Sequence, residues 1–506
     1  MTTTSISARP LLTVCLSLAL FGCGSSDSDS DSGANTTSPP APANSNPLAS
    51  LIAPLSSAAP AGDGSATSSD ALKGLGCGWI AASDADTANI AFPDKAARYW
   101  VALIPMTPGN RLRIDGVYPA ARYFSFNSYD LALRPTDAVA DRDLKPQDGS
   151  RNPFTEQGAP IGGRYTAFLN FGPAPDPRAG NSFYTGSVGA GPAQVPNGGV
   201  VPIIYRTYIG SGERQDGGVA LPLLTLESTT GQVIGTLPTC SEPFLPNLGG
   251  LLPKTGLNQL INDTDYPNQL ALPFPTAVYP PKSRPFYGLP DTVMNIVIDQ
   301  LGVSEQASQL PALPSTGGGG FLSNIHNDYT SSAFARRYGN LFLMRAKAPT
   351  YRSQNGVAFA SEQARYWSLC QNEFATQRYT DCSIDKDTAL DGDGFFTVAI
   401  SDTAERPQAA TAAQGITWLP WGAYPDGVLL YRQMLVNDNF KQAIKRVPKG
   451  TDVREIMGDY APQTTYCRPE IFDQAGLTPK QRFAACQADQ DANPAVTPTP
   501  TLPPAP

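Results

Sequence analysis

At 506 residues, 41% of them hydrophobic, the chain is long enough for roughly two to four domains with real cores. Only 16% of residues are charged, while 46 are Gly and 49 are Pro, a mix that disfavours long helices and favours strands joined by many turns. The formal net charge of −8 repels phosphate, which argues against nucleic acid as a partner.

Arg9 precedes the apolar run LLTVCLSLALF, which has the length of a signal-peptide core and is too short to span a bilayer as a stable helix. The run ends in Leu20-Phe21-Gly22-Cys23. This resembles the bacterial lipoprotein signal, in which an apolar residue at −3 and a small one at −1 precede the Cys that receives lipid. The resemblance implies that residues 1–22 are a signal peptide and that Cys23 is lipidated, by palmitate among other chains. The partner is then a membrane, reached through acyl chains with no spanning helix. Gly24 stands where Asp would hold an enterobacterial lipoprotein at the inner membrane. The expected location is therefore the cell envelope, at the outer membrane facing the periplasm or the surface.

Residues 23–70 are Ser-, Asp-, Ala- and Pro-rich and read as a disordered tether, because they cannot bury enough apolar area to offset their ordering entropy. A second disordered tail is expected over 491–506. Cys15 leaves with the signal and Cys23 takes the lipid. Six cysteines remain, and in an oxidising compartment an even number reads as disulfides. Position along the chain favours Cys77–Cys240, Cys370–Cys382 and Cys467–Cys486. The sequence has no CxxC and a single histidine, His326, so neither a metal nor another cofactor is expected.

Between tether and tail, blocks recur in one order. NIAFPDKAARYW at 89–100 faces NIHNDYTSSAFARRYG at 324–339, and ARYFSFNSYD at 121–130 faces ARYWSLCQNE at 364–373. Acidic turns follow at 140–149 and 380–394, then strands at 163–172 and 394–402. Tyr-Arg pairs close the last blocks, at 197–210 and 424–436. These matches imply duplication. Most blocks alternate with period two: Leu112 and Ile114 against Arg111, Arg113 and Asp115, and Phe124 and Phe126 against Ser125 and Asn127. Helical spacing is confined to 291–302 and 437–447. The expected fold is all-β: two tandem related antiparallel β-sandwich, jelly-roll-like domains at 71–240 and 321–490, joined by a Pro/Gly-rich connector with a short helix at 241–320.

The blocks GVYPAARYFSFNSYD, DRDLKPQDGSRNPF and TWLPWGAYPDGVLLYRQML resemble an uncharacterised bacterial family of exported, duplicated β-sandwich lipoproteins, over about two thirds of the chain. That resemblance implies architecture; it brings no catalytic residues with it.

Chemistry is sparse. No GxSxG elbow accompanies His326, which lies in the polar loop NIHNDY beside Asn327 and Asp328. The acidic turns depart from a calcium loop, with Ala389 and Leu390 where ligands and Gly belong. Arg122 and Arg365 precede tyrosines; each either bonds a carboxylate, Asp130 or a turn aspartate, or lines an anion-recognising groove. Tyr279 and Phe286 in the connector, with Trp418 and Trp421, could line a hydrophobic cleft between domains. The expected role is therefore binding of a hydrophobic or amphipathic small molecule, or of an outer-membrane partner, in support of uptake of apolar compounds. Two alternatives stand beside it: an exported hydrolase using acidic residues or His326, and a structural or adhesive lipoprotein.

Overall fold

The computed structural model describes residues 77–87, 89, 92–130, 134–186, 199–240, 277–287, 322–351, 361–374 and 377–495. The signal segment, Cys23, the tether, most of the connector with its expected helix at 291–302, and the end of the tail lie outside the described residues.

The first sandwich pairs two five-stranded sheets. One has the order β1(Ala81–Asp84), β2(Ala97–Met106), β8(Gly199–Tyr208), β4(Tyr123–Tyr129), β5(Pro135–Ala140). The other runs β10(Val233–Leu237), β9(Leu223–Ser228), β3(Asn110–Val117), β6(Arg164–Asn170), β7(Ser182–Tyr184). Successive strands β2, β3 and β4 alternate between sheets, the jelly-roll way of wrapping one core. The second sandwich repeats the order: β11(Arg284–Pro285), β12(Asn327–Ala335), β18(Asp426–Met434), β14(Tyr366–Glu373), β15(Tyr379–Ile384) in one sheet. Its partner sheet is β17(Thr417–Pro420), β16(Phe395–Ser401), β13(Phe342–Lys347), β19(Gln463–Tyr466). Nine strands correspond, β10 alone having no counterpart among the described residues. The pairings β6–β7 and β16–β17 are parallel, so the second sheet of each sandwich is mixed.

Period-two alternation builds the cores. Leu112 and Ile114 are fully buried while Arg111, Arg113 and Asp115 face outward. The first core is dense in aromatics, with Tyr205 5.1 Å from Phe126 and 5.2 Å from Trp100. In the second, Trp367, Phe396 and Tyr431 pack together. One expectation of alternation is corrected: β4 and β14 are buried on both faces. Their polar faces are turned toward the other sandwich.

The repeat also differs in register from its sequence reading. The ladders place Ala97, Arg98 and Tyr99 opposite Tyr208, Thr207 and Arg206, and Asn327, Asp328 and Tyr329 opposite Met434, Gln433 and Arg432. The counterpart of the Ala-Arg-Tyr at 97–99 is thus 327–329. Arg336–Tyr338 is instead a 3-10 turn that closes β12. The matches 122–124 with 365–367, and 205–206 with 431–432, hold in register.

The helix expected at 437–447 is absent; turns and one 3-10 turn, Ile444–Arg446, take its place. Phe440, Ala443, Ile444 and Val447 are still buried. Asn437 caps a turn through Asn439 N, as it could also cap a helix, while Gln433 in β18 accepts Ile444 N and so takes a donor that a helical ladder would need. The helix that does form near the C-terminus, α1(Val453–Met457), precedes two more, α2(Pro469–Phe472) and α3(Pro479–Ala492). Thr478 and Gln481 make a capping box at the start of α3, with Pro at its first position.

Three disulfides have the expected pairing: Cys77–Cys240, Cys370–Cys382 between directly opposed residues of β14 and β15, and Cys467–Cys486, which ties β19 to α3. The first closes a span of 163 residues. Replacing both Cys77 and Cys240 by Ser should lower stability by up to ~5 kcal/mol in the chain-entropy account. Calorimetry under non-reducing conditions checks this, and an unchanged transition would show that the bond constrains little.

Candidate functional site: a buried polar seam between the sandwiches

The two sandwiches meet along the faces of β2-β8-β4-β5 and β12-β18-β14-β15. Arg122 and Arg365 stand just before β4 and β14, their backbone N–H groups donating to Tyr208 O and Met434 O. Both residues are 2% exposed and both side chains cross to the other sandwich. Arg122 Nη1 lies 2.9 Å from Asp385 Oδ2, and Arg365 Nη1 lies 3.2 Å from Asp141 Oδ1. Asp141 and Asp385 are themselves counterparts, one residue beyond β5 and β15.

Each carboxylate is pinned by its own sandwich and offered to the other's guanidinium. Asp141 accepts Phe124 N and Asp385 accepts Trp367 N, again counterparts. Asn152 holds the first acidic turn in place, donating to Asp141 O and Leu144 O while accepting Phe154 N. Phe154 then packs 5.5 Å from Phe124. These contacts give Asn152 and Phe154 of the block DRDLKPQDGSRNPF their structural role. Burial pushes the Asp385 carboxyl up to about 6 against the pull of Arg122, and burial raises Asp141 against Arg365.

A second crossed set lies deeper. Asp94 and Asn324 sit three residues before Ala97 and Asn327, and each accepts that residue's backbone N–H through its own carbonyl. Tyr366 OH donates to Asp94 Oδ1 at 2.7 Å, and Tyr123 OH reaches Asn324 Oδ1 at 3.1 Å. Asp94 also takes Ser368 Oγ at 2.8 Å and an ion pair from Arg432. Arg432 and Arg206 occupy one register position, opposite Ser368 and Ser125. Arg432 donates to Phe92 O and Arg206 to Leu322 O. Phe92 and Leu322 both have positive φ, 55° and 53°, an uncommon conformation for such side chains, which aims each carbonyl at the other half. Tyr208 and Tyr366 close the seam with ring centroids 5.2 Å apart.

His326 belongs to this seam. Its Nδ1 lies 2.8 Å from Tyr123 OH, and Ala96 is its counterpart. Burial, reinforced by the guanidiniums of Arg142, Arg206 and Arg365, lowers its pKa to about 3. A neutral imidazole held so far below neutral pH is poorly matched to general-base work.

The aromatic residues expected to share a cleft do not converge. Trp421 is in the second core, 4.6 Å from Phe334 and beneath Arg336. Trp418 is half-buried in a separate cluster with Phe472 and Phe483, bonding Ser401 and covered by Arg406. Tyr279 stacks on Tyr466 at the rim of the second core. Phe286 alone reaches the seam, edge-on to Phe92 and Tyr329. Asp130 pairs with Arg134 and leaves Arg122 to Asp385. In the acidic turns, Asp391 holds Arg345 and the N–H groups of Asp393 and Phe395. Among the described residues one close trio of metal-ligand types occurs, Asp94, Cys370 and Cys382, but the sulfurs are bonded to each other and Asp94 holds Arg432. A shallow groove of about 280 Å³ on the outer face of the first sandwich is lined by Lys145, Gln147, Thr166, Phe168 and Asn181 among others.

Asp94, Asn324, Arg206 and Arg432 did not stand out in the sequence as a site. The repeated Tyr-Arg at 205–206 and 431–432 was the available signal, since an Arg inside an apolar strand needs a partner.

No protein-family model and no curated protein sequence matches the chain. Among solved structures, an uncharacterised protein from Burkholderia cenocepacia aligns with 84% of this chain and 97% of its own, at 13% identity and a TM-score of 0.38. A protein from Vibrio parahaemolyticus aligns over 75% and 92%, at 13% identity and a TM-score of 0.32. At these scores the likeness carries no inference.

Breaking one crossed pair strands a buried charge. Arg122→Met or Asp385→Leu alone should cost about 3–5 kcal/mol in urea unfolding, and the double variant clearly less than the sum. Additive costs would show that the two groups do not act as a pair. His326 offers a second test, because with one histidine in the chain the imidazole Hε1 signal has a single source. That NMR signal should stay flat between pH 8 and 5. The unfolded chain takes up this proton below pH ~6.5, whereas the folded chain does so only near its folded pKa of about 3. Wild type should therefore lose stability relative to His326→Gln as pH falls through that window. A midpoint near 6.5 in the folded protein would contradict this assignment.

Proposed function

We propose that the protein is a lipid-anchored envelope protein whose two sandwiches descend from one duplicated unit and act as a single rigid structural or adhesive body. The observation that carries this reading is the crossed pairing of Arg122 with Asp385 and Arg365 with Asp141, all four side chains buried. Two domains that hinge around a ligand need an interface that opens at low cost. Opening this one would uncouple two desolvated ion pairs and the Asp94–Arg432 pair at once.

The common strand order and the counterpart contacts support duplication, and three disulfides suit an oxidising compartment. The segment ending in Cys23 supports the anchor. Binding of an apolar molecule between the sandwiches draws no support from Trp418, Trp421, Tyr279 and Phe286, which serve three separate packing sites. A hydrolase built on His326 draws none from an imidazole held neutral by burial.

Radiolabelled palmitate fed to the native host should mark the wild-type product and not Cys23→Ala, which should move to the soluble fraction. An unlabelled wild type would remove the anchor. Native mass spectrometry of protein taken from its own envelope should show the bare polypeptide plus its lipid modification. A retained free lipid or alkane would replace the structural reading with a binding one.

A further inference from the structure

The seam treats the register-matched arginines Arg206 and Arg432 unequally. Arg432 has Asp94. Arg206, at the same register position and also 2% exposed, meets the neutral Asn324 segment. Its partners are the Tyr129 hydroxyl and Leu322 O, and no carboxylate among the described residues pairs with it. Tyr99, Tyr123, Tyr129 and Tyr208 surround it, and burial holds the phenol pKa values of Tyr99 and Tyr129 up at about 12, so they stay neutral at physiological pH. A guanidinium does not shed its proton in a protein, and an uncompensated buried charge is costly.

Two donors nearby lack partners. Arg206 Nε is buried with no hydrogen bond, as is Arg432 Nε beside its carboxylate, so what sets Arg206 apart is the missing counter-charge. Ser323 Oγ is likewise buried without a hydrogen bond, in the segment whose carbonyl already receives the Tyr129 hydroxyl. We propose that Arg206 is the centre of a buried site for a small monovalent anion of chloride size, held by Nε–H and the Ser323 hydroxyl, which supplies the charge that Asp94 supplies to Arg432. The ligand is small because the surroundings are buried side chains. It is monovalent because one guanidinium is to be matched.

The test uses the full folded chain in sodium chloride and in sodium gluconate at equal ionic strength. Chloride should raise the melting temperature saturably, and a concentration 100 times its Kd should raise the folded-to-unfolded ratio about 100-fold. Asn324→Asp rebuilds the Asp94 arrangement. It should be more stable than wild type in gluconate and should lose the chloride increment. Equal melting in both salts, or a chloride increment that survives unchanged in Asn324→Asp, would overturn the proposal. Should that variant fail to fold, bromide-soaked crystals of the wild type decide. An anomalous peak in contact with Arg206 Nε supports the site, and its absence there removes it.

Discussion

Two guanidinium–carboxylate pairs, crossed between the sandwiches and almost free of solvent, determine how the halves meet. Removing each charge from water costs several kcal/mol, and the pair returns that cost only when the partner arrives in the right place. A displaced docking would leave Arg122 and Arg365 facing the wrong groups, each a stranded charge. The pairs therefore specify one arrangement more than they add net stability. Their reciprocity is that of an isologous contact, in which one patch meets its own copy and every interaction occurs twice. Asp141 and Asp385 can serve because each is already oriented by a backbone N–H of its own sandwich, Phe124 or Trp367.

This constraint reaches back into the strands. An ordinary sandwich strand has one face in the core and one in water, which is why its sequence alternates. In β4 the apolar face of Phe124 and Phe126 enters the core as usual. The face carrying Tyr123, Ser125 and Asn127 is buried too, against the other half. Such a face must be polar, because its partner presents Arg and Asp, and yet it must hydrogen-bond almost completely. Tyrosine fits well: its ring fills space and its hydroxyl reaches Asn324 or Asp94 across the seam.

The same logic explains what the sequence revealed and what it withheld. Leu112 and Ile114, or Phe124 and Phe126, announce strands because burial on one face imposes period two. The cysteine pairs were legible from position alone. Arg122 and Arg365 drew notice because they recur, but their partners lie 263 and 224 residues away, and nothing local distinguishes Asp385 or Asp141 from the other aspartates of their turns. The Ala-Arg-Tyr match at 97–99 misled for a related reason. Strand composition is cheap to reproduce, and only the ladder against Arg206 and Arg432 fixes the true counterpart. At 437–447 the apolar spacing reported burial correctly and backbone incorrectly, since Gln433 takes the Ile444 N–H that a helix would have used. The Thr478–Gln481 box before α3 was a plain helix-start signal that the strand-rich context obscured.

The departures from two-fold pairing carry information of their own. In a homodimer every substitution occurs twice, so exchanging Asp for Asn at the Asp94 position would strip both Arg206 and Arg432 of a counter-charge at once. Once two units share a chain, the positions vary separately, and with Asn324 in that place Arg206 has no carboxylate among the described residues while Arg432 keeps Asp94. The disulfide shows the same freedom: Cys370 and Cys382 stand where Asn127 and Ala138 face each other in the first sandwich. His326 in place of Ala96 is a third case. On the duplication reading these differences postdate the joining of the units, because a symmetric ancestor would have suffered each of them in duplicate. The crossed pairs Arg122–Asp385 and Arg365–Asp141 are matched in both halves, as expected if the loss of either strands a buried charge.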